Sequence, residues 1–262
     1  GATAWSRQLP AAVLGGGGAR HALKTADTDL VSHDTGAFAS AGVTVAGKAL
    51  YAACLALEQR MLRIARELVP DAEPELTSDG VRSGDRLISF AEIVATASDA
   101  TPEGLTTTGA ELGEVRSLAF NVHAVRVAVD PSTGIVRILQ SIQSADAGTV
   151  LNPAQCRGQV EGGAAQGIGS ALYEEVLIDA DGRVENPVFR TYRVPQFADI
   201  VDTEVYFAET RDDLGPFGAK SMSESPYNPV APAIGNAIAR ALGVRPYQQP
   251  FTRARVWRLA QG

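Results

Sequence analysis

Five glycines fall inside one stretch that otherwise reads as a helix. Asn152 is a natural N-cap and Pro153 a natural first-turn residue. The run that follows carries Gly158, Gly162, Gly163, Gly167 and Gly169. Each glycine in a helix interior costs about 1 kcal/mol relative to alanine. A helix with so many must recover that elsewhere, through close packing against backbone or against a bulky cofactor. Any fold for this chain therefore has to bring backbone, or a ligand, flush against this helix.

The clearest strand signal lies just upstream. Ala124 to Val129 alternates loosely, Asp130-Pro131-Ser132-Thr133-Gly134 turns, and Ile135 to Leu139 returns. This predicts a hairpin within His123 to Ala145. Ser40 to about Val69 predicts a long helix, because Leu50, Cys54, Leu57, Met61, Ile64 and Leu68 recur every three or four residues. Pro70 lies beyond its end. Leu76 to Phe90 predicts a hairpin turning at Asp79-Gly80 or Ser83-Gly84, and Phe90 to Ala97 a short helix. Tyr173 to Ile178 and Arg183 to Val188 flank Asp181-Gly182 as a further hairpin, and Thr203 to Ala208 is a strand. Pro226 leads into the last helix, which Gly243 ends. Helices and hairpin-linked strands mix without repeated βαβ units. The expected class is α+β, with mixed or antiparallel sheets and packed helices.

Charge and cysteine usage remove several function classes. The net charge is -7 over 262 residues, with no long basic run, which argues against nucleic acid or an anionic membrane surface as partner. No apolar stretch is long enough to span a bilayer, and the expected location is cytoplasmic. Cys54 and Cys156 form no CxxC pair, so nothing marks an iron-sulfur cluster in this chain. His21, His33 and His123 lack zinc-ligand spacing, and no protein metal ligand is assigned. Gly15 to Gly18 with Ala19 and Arg20 invites a phosphate-loop reading, but no clear strand precedes and no GKS or GKT follows. Residues 1–24 are expected to be an atypical N-terminal segment or linker, with the main domain at 25–262.

Near the C-terminus, Gly215-Pro216-Phe217-Gly218-Ala219-Lys220-Ser221-Met222-Ser223-Glu224-Ser225-Pro226 sets one glutamate in a loop of small residues. Small residues let backbone approach a ligand and the prolines stiffen the loop. Glu224 is a general-base candidate on these grounds. The plainer alternative, a glutamate near a helix N-terminus that favours the macrodipole, stays open from spacing alone.

Two further segments stand upstream: Asp27-Thr28-Asp29 with Asp34-Thr35-Gly36-Ala37-Phe38-Ala39-Ser40, and Ala145-Asp146-Ala147-Gly148-Thr149-Val150-Leu151-Asn152-Pro153 running into the glycine-rich helix. In this order, the three segments resemble the C-terminal half of the molybdopterin-binding subunit of the xanthine dehydrogenase and aldehyde oxidase family, over roughly Thr25 to Pro250. The resemblance implies a molybdenum hydroxylase, which hydroxylates a carbon next to nitrogen or oxygen with a glutamate as base. Glu224 matches that base. Gln159 matches a glutamine beside the molybdenum centre, Gly158 backbone that cradles the cofactor, and Ala39, Ser40 and Ala41 a stretch that contacts the pterin. The family's Gly-x-Lys-Gly-Val-Gly-Glu is Gly218-Ala219-Lys220-Ser221-Met222-Ser223-Glu224 here. Two glycines have become serine and valine has become methionine.

The resemblance also implies molybdopterin in its cytosine dinucleotide form, a small-molecule substrate, and 2Fe-2S and FAD centres on partner chains. It further implies an N-terminal half of the molybdenum subunit that this chain lacks, an oligomeric assembly, and an exposed apolar, glycine-rich surface where that half docks. Two other readings remain: a catalytically inactive cofactor-binding or assembly fragment, and an unrelated hydrolase using Glu224 as its base.

Overall fold

The computed structural model describes residues 2–31, 33–34, 36–40, 42–111 and 116–262. They fall into two units, 1–118 with 211–221, and 119–210 with 222–262. Ala41, expected at the cofactor, lies outside the described residues. Among the described residues no helix is long and apolar enough to cross a membrane.

In the first unit, helix α1 (Ala2–Leu14) packs on helix α2 (Lys48–Leu68). Within 1–24, expected to be an atypical N-terminal segment or linker, residues 2–14 form this helix. Leu9 is buried, and Leu14 packs against the core of the unit. The helix expected from Ser40 begins later. Ala39 and Ser40 have φ of 51° and 62°, a π-helical turn spans Gly42–Gly47, and regular α-helix starts at Lys48. From there the predicted face holds, with Cys54, Met61 and Ile64 buried.

Both candidate turns of the next segment are used. Strands β1 (Pro74–Thr77), β2 (Gly80–Ser83) and β3 (Arg86–Ser89) form an antiparallel meander rather than one hairpin. Helix α3 (Phe90–Ala100) follows, capped by Ser89, whose hydroxyl accepts from the Glu92 N–H at 3.2 Å. Val81, Ile88, Ile93 and Ala97 meet Met61 and Ile64 in one apolar core.

The second unit is built on strands β4 (Asn121–Asp130) and β5 (Ile135–Ala145), the predicted hairpin, with a register shift between Arg126 and Val127. Helix α4 (Pro153–Leu172) carries the chain over to strand β6 (Thr203–Phe207), which pairs parallel to β5. The sheet order is β4-β5-β6. Helix α5 (Val230–Leu242) ends at Gly243 in the left-handed region. A further helix, α6 (Arg253–Gln261), follows it, so α5 is not the last. Ile138, Ile168, Val230, Ile234, Ile238, Phe251 and Val256 form the core.

The hairpin expected around Asp181-Gly182 reduces to a single bridge, Ile178 to Val184. The Asn186 side chain accounts for this. Its amide donates to the Glu175 carbonyl at 2.6 Å and its oxygen accepts from the Leu177 N–H at 2.9 Å. Those groups would otherwise be open to continue a ladder.

Candidate functional site

Helix α4 and the Glu224 loop meet in the second unit. Asn152 caps the helix, its side-chain oxygen accepting from the Gln155 N–H at 3.0 Å. The five glycines then divide into two kinds. A Cβ on Gly163 would stand 2.9 Å from the Pro226 Cβ, and one on Gly167 would stand 2.5 Å from the Val230 Cβ. Gly169 is closed off by Glu174 and Pro195. These three are explained by this chain's own packing. Gly158 and Gly162, one helical turn apart, have nothing within 4 Å of the Cβ position and are exposed. Among the described residues, no atom packs against either Cβ position to offset their cost to the helix.

The loop bearing Glu224 is anchored on both sides of it. Met222 is buried with Ala145, Ala147 and Val160. Pro226 is buried against Gly163. The Gln143 amide, on β5, donates to the Pro226 carbonyl at 2.7 Å, and Gln143 itself is fully buried. The Gln159 amide donates to the Ser223 carbonyl at 2.7 Å. The Tyr227 N–H donates to the Glu224 carbonyl at 3.1 Å. The backbone around Glu224 is thus pinned from strand and helix while its side chain stays exposed.

Gln159, Gly158 and Glu224 are therefore brought to one region of the second unit. Ala39 and Ser40 belong to the first. There the two form part of a 3-10 turn with positive φ, a conformation that costs on the order of 1–3 kcal/mol per non-glycine residue. Ser221, from the same sequence motif as Glu224, holds the turn that follows. Its hydroxyl lies 2.9 Å from the Thr44 hydroxyl and accepts from the Thr44 N–H at 3.3 Å. Pro216 packs against Gly47, and the Phe217 ring meets Tyr51 edge to face at 4.9 Å. The short motif 218–224 thus contributes to both units, with Ser221 ending one stretch and Met222 starting the next.

Sequence reasoning missed Gln143 and Thr44. Gln143 had a signal: it is a polar residue in inward register with Ser141 and Ala145 on a predicted strand. Its partner, 83 residues away, had none. The same sheet buries His123, whose Nε2 lies 2.8 Å from the Ser141 hydroxyl, which in turn lies 2.9 Å from the Thr203 hydroxyl. Burial lowers the His123 pKa to about 4. Burial also pushes the Cys156 thiol up to about 11, which leaves it a poor nucleophile.

Comparison with known proteins gives this geometry a context. The family model described as molybdopterin cofactor-binding domain matches residues 4–201. The chain is 33% identical over 250 residues to the 6-hydroxypseudooxynicotine dehydrogenase complex subunit gamma of Paenarthrobacter nicotinovorans, covering 90% of this chain and 31% of that protein. It is 33% identical over 244 residues to the putative xanthine dehydrogenase molybdenum-binding subunit of Escherichia coli K12, covering 90% of this chain and 32% of the relative. Among solved structures, CO dehydrogenase from Oligotropha carboxidovorans superposes with a TM-score of 0.88 at 23% identity, over 98% of this chain and 33% of that one. Quinoline 2-oxidoreductase from Pseudomonas putida 86 gives 0.82 at 28% identity, over 98% and 34%. The chain spans about a third of the length of the curated relatives it matches.

Proposed function

This chain belongs to the molybdopterin cofactor-binding domain family, and we propose that it is the C-terminal part of a molybdenum hydroxylase subunit in which Glu224 is the general base. The observation that carries this reading is the hydrogen bond from the Gln159 amide to the Ser223 carbonyl. It ties the backbone just before Glu224 to the early turns of α4, beside the bare face of Gly158 and Gly162.

The residues present fit a pterin-type cofactor. Gly158 and Gly162 leave open the space that a Cβ would fill. Gln159 has a second amide N–H after it satisfies Ser223. We assign Gly158, Gln159, Ala39, Ser40 and Ala41 to molybdopterin, in its cytosine dinucleotide form, within a cofactor-binding region of 25–262. When bound, the cofactor supplies a Lewis-acidic redox centre for hydroxylating a heterocycle or an aldehyde. Glu224 accepts a proton at its carboxylate. The anchors at Met222 and Pro226 hold its backbone still, so only the side chain has to move to reach that proton. Gln159 positions the loop and donates to the cofactor.

The complete enzyme also needs the N-terminal half of the molybdenum subunit and partner chains with 2Fe-2S and FAD. Three findings support that. The matched relatives are about three times as long, and one is by name a subunit of a complex. A groove of about 570 Å³ on the second unit, lined by Val176, Val184, Val188 and Phe189, gives an apolar face of the kind a partner covers. The test is Glu224→Gln in the natively purified assembly. The amide keeps the shape but cannot take a proton, so turnover should fall at least a hundredfold with molybdenum content unchanged. Near-normal turnover would remove Glu224 as the base.

A further inference from the structure

The second unit contains a cavity of about 510 Å³ whose lining includes no residue of the Glu224 loop. Arg137, Arg193, Arg253 and Tyr173 line it, over an apolar floor that includes Val136 and Phe251. Close packing builds it. Gly134 closes the β4–β5 turn with φ of +68°, and a Cβ there would stand 1.9 Å from the Arg253 carbonyl oxygen. Only glycine permits that approach. The turn therefore abuts the start of α6, and Arg137 on β5 and Arg253 at the head of α6 reach the same cavity.

The charges in this lining do not balance. Arg193 is committed: its Nη2 donates to both Asp199 carboxylate oxygens at 2.8 Å, and its guanidinium lies 4.1 Å from the centre of the Tyr173 ring. Asp199 also accepts from the Gln196 N–H at 2.9 Å and from the Tyr173 hydroxyl at 3.4 Å. The single carboxylate in the lining is thus matched by one arginine. Among the described residues, no ion pair or hydrogen bond engages the side chain of Arg137 or Arg253. Two arginines without an ion pair in one lining stand out in a chain of net charge -7. A guanidinium matches the two oxygens of a carboxylate or phosphate. The volume is that of a small-molecule site.

We propose that this cavity binds a small organic anion, its carboxylate or phosphate head held by Arg137 and Arg253 and its ring-sized apolar body seated on Val136 and Phe251. The site is separate from the cofactor assignment and does not depend on it. The test is calorimetric titration of the full chain, in its native assembly, with benzoate, phenyl phosphate and the neutral benzyl alcohol. At least one anion should bind saturably with one site per chain, and the alcohol should not. The tighter of the two anions identifies the head group. Arg137→Gln and Arg253→Gln should each weaken binding roughly tenfold or more, the usual worth of a charge-assisted hydrogen bond. Both arginines are exposed, and unchanged circular dichroism would show that the variants fold. Equal binding of the alcohol, full affinity in the double variant, or no saturable binding of either anion would each overturn the proposal.

Discussion

Alanine should stabilise the chain at Gly162 but not at Gly167, although the two residues share one helix. At Gly162 nothing lies within 4 Å of the new methyl group. The substitution should gain about 1 kcal/mol of helix stability, which is about 2–4 °C in Tm for a unit of this size. At Gly167 the methyl would meet the Val230 Cβ at 2.5 Å and its Cγ2 at 2.6 Å. Carbon atoms pack at about 3.5–4.0 Å, and Val230 is fully buried in the core. Helices α4 and α5 would have to part by roughly 1 Å, and overpacking of this kind costs about 1–3 kcal/mol. Gly167→Ala should therefore end neutral to about 2 kcal/mol less stable. Thermal denaturation of the cofactor-free chain reads both signs. Molybdenum per chain in the native assembly reads the function of the bare face, and there Gly162→Leu should lower occupancy. Destabilisation by Gly162→Ala would mean that the chain itself covers that face. Normal molybdenum content in Gly162→Leu would mean that the cofactor does not lie there.

Other outcomes follow from the same geometry. Gln159→Ala should lower molybdenum content, read by elemental analysis, with only a small change in the denaturation midpoint, because the Gln159 side chain is exposed. His123 stays neutral in the folded chain down to about pH 4, whereas the unfolded chain protonates it near 6.5. It contributes nothing above about pH 6.5; from there down to about 4 the unfolded state gains, at a cost on the order of 3 kcal/mol. Urea midpoints between pH 7 and 4 should fall less steeply in His123→Gln than in the wild type. The 262-residue chain without its partners should show no hydroxylase turnover with any acceptor dye, since the rest of the cofactor cradle is then missing.

How far the sequence led can be judged element by element. The face of α2 was legible because its spacing is set by the helix alone. So was the start of α4, where Asn152 and Pro153 are local signals. The glycines of α4 were legible as a group but not individually. Gly163 and Gly167 are fixed by Pro226 and Val230, more than 60 residues away, and only the fold separates them from Gly158 and Gly162. Helix α6 was missed because its arginines mask a short apolar spacing, Val256 and Leu259, behind the Thr252 cap. Helix α1 was hidden by Pro10 and by the glycine run that follows it. The Asp181-Gly182 turn was legible, whereas the Asn186 contacts beside it were not. In the candidate site, Glu224 was legible as a base candidate from its loop of small residues and then matched the family's base, whereas Gln159 was named through family resemblance alone. The bonds that hold their loop, from Gln143 and from Gln159 itself, are long-range and left no mark in the sequence.

The central claim is that the cofactor rests against Gly158 and Gly162 with its metal facing Glu224. An anomalous difference map collected at the molybdenum edge, on crystals of the natively purified assembly, tests this directly. The account predicts one molybdenum peak per chain, bordering the exposed face of α4 on the side that carries Glu224. A full-occupancy peak elsewhere in the assembly, with Glu224 and Gly162 facing solvent or protein alone, would contradict it.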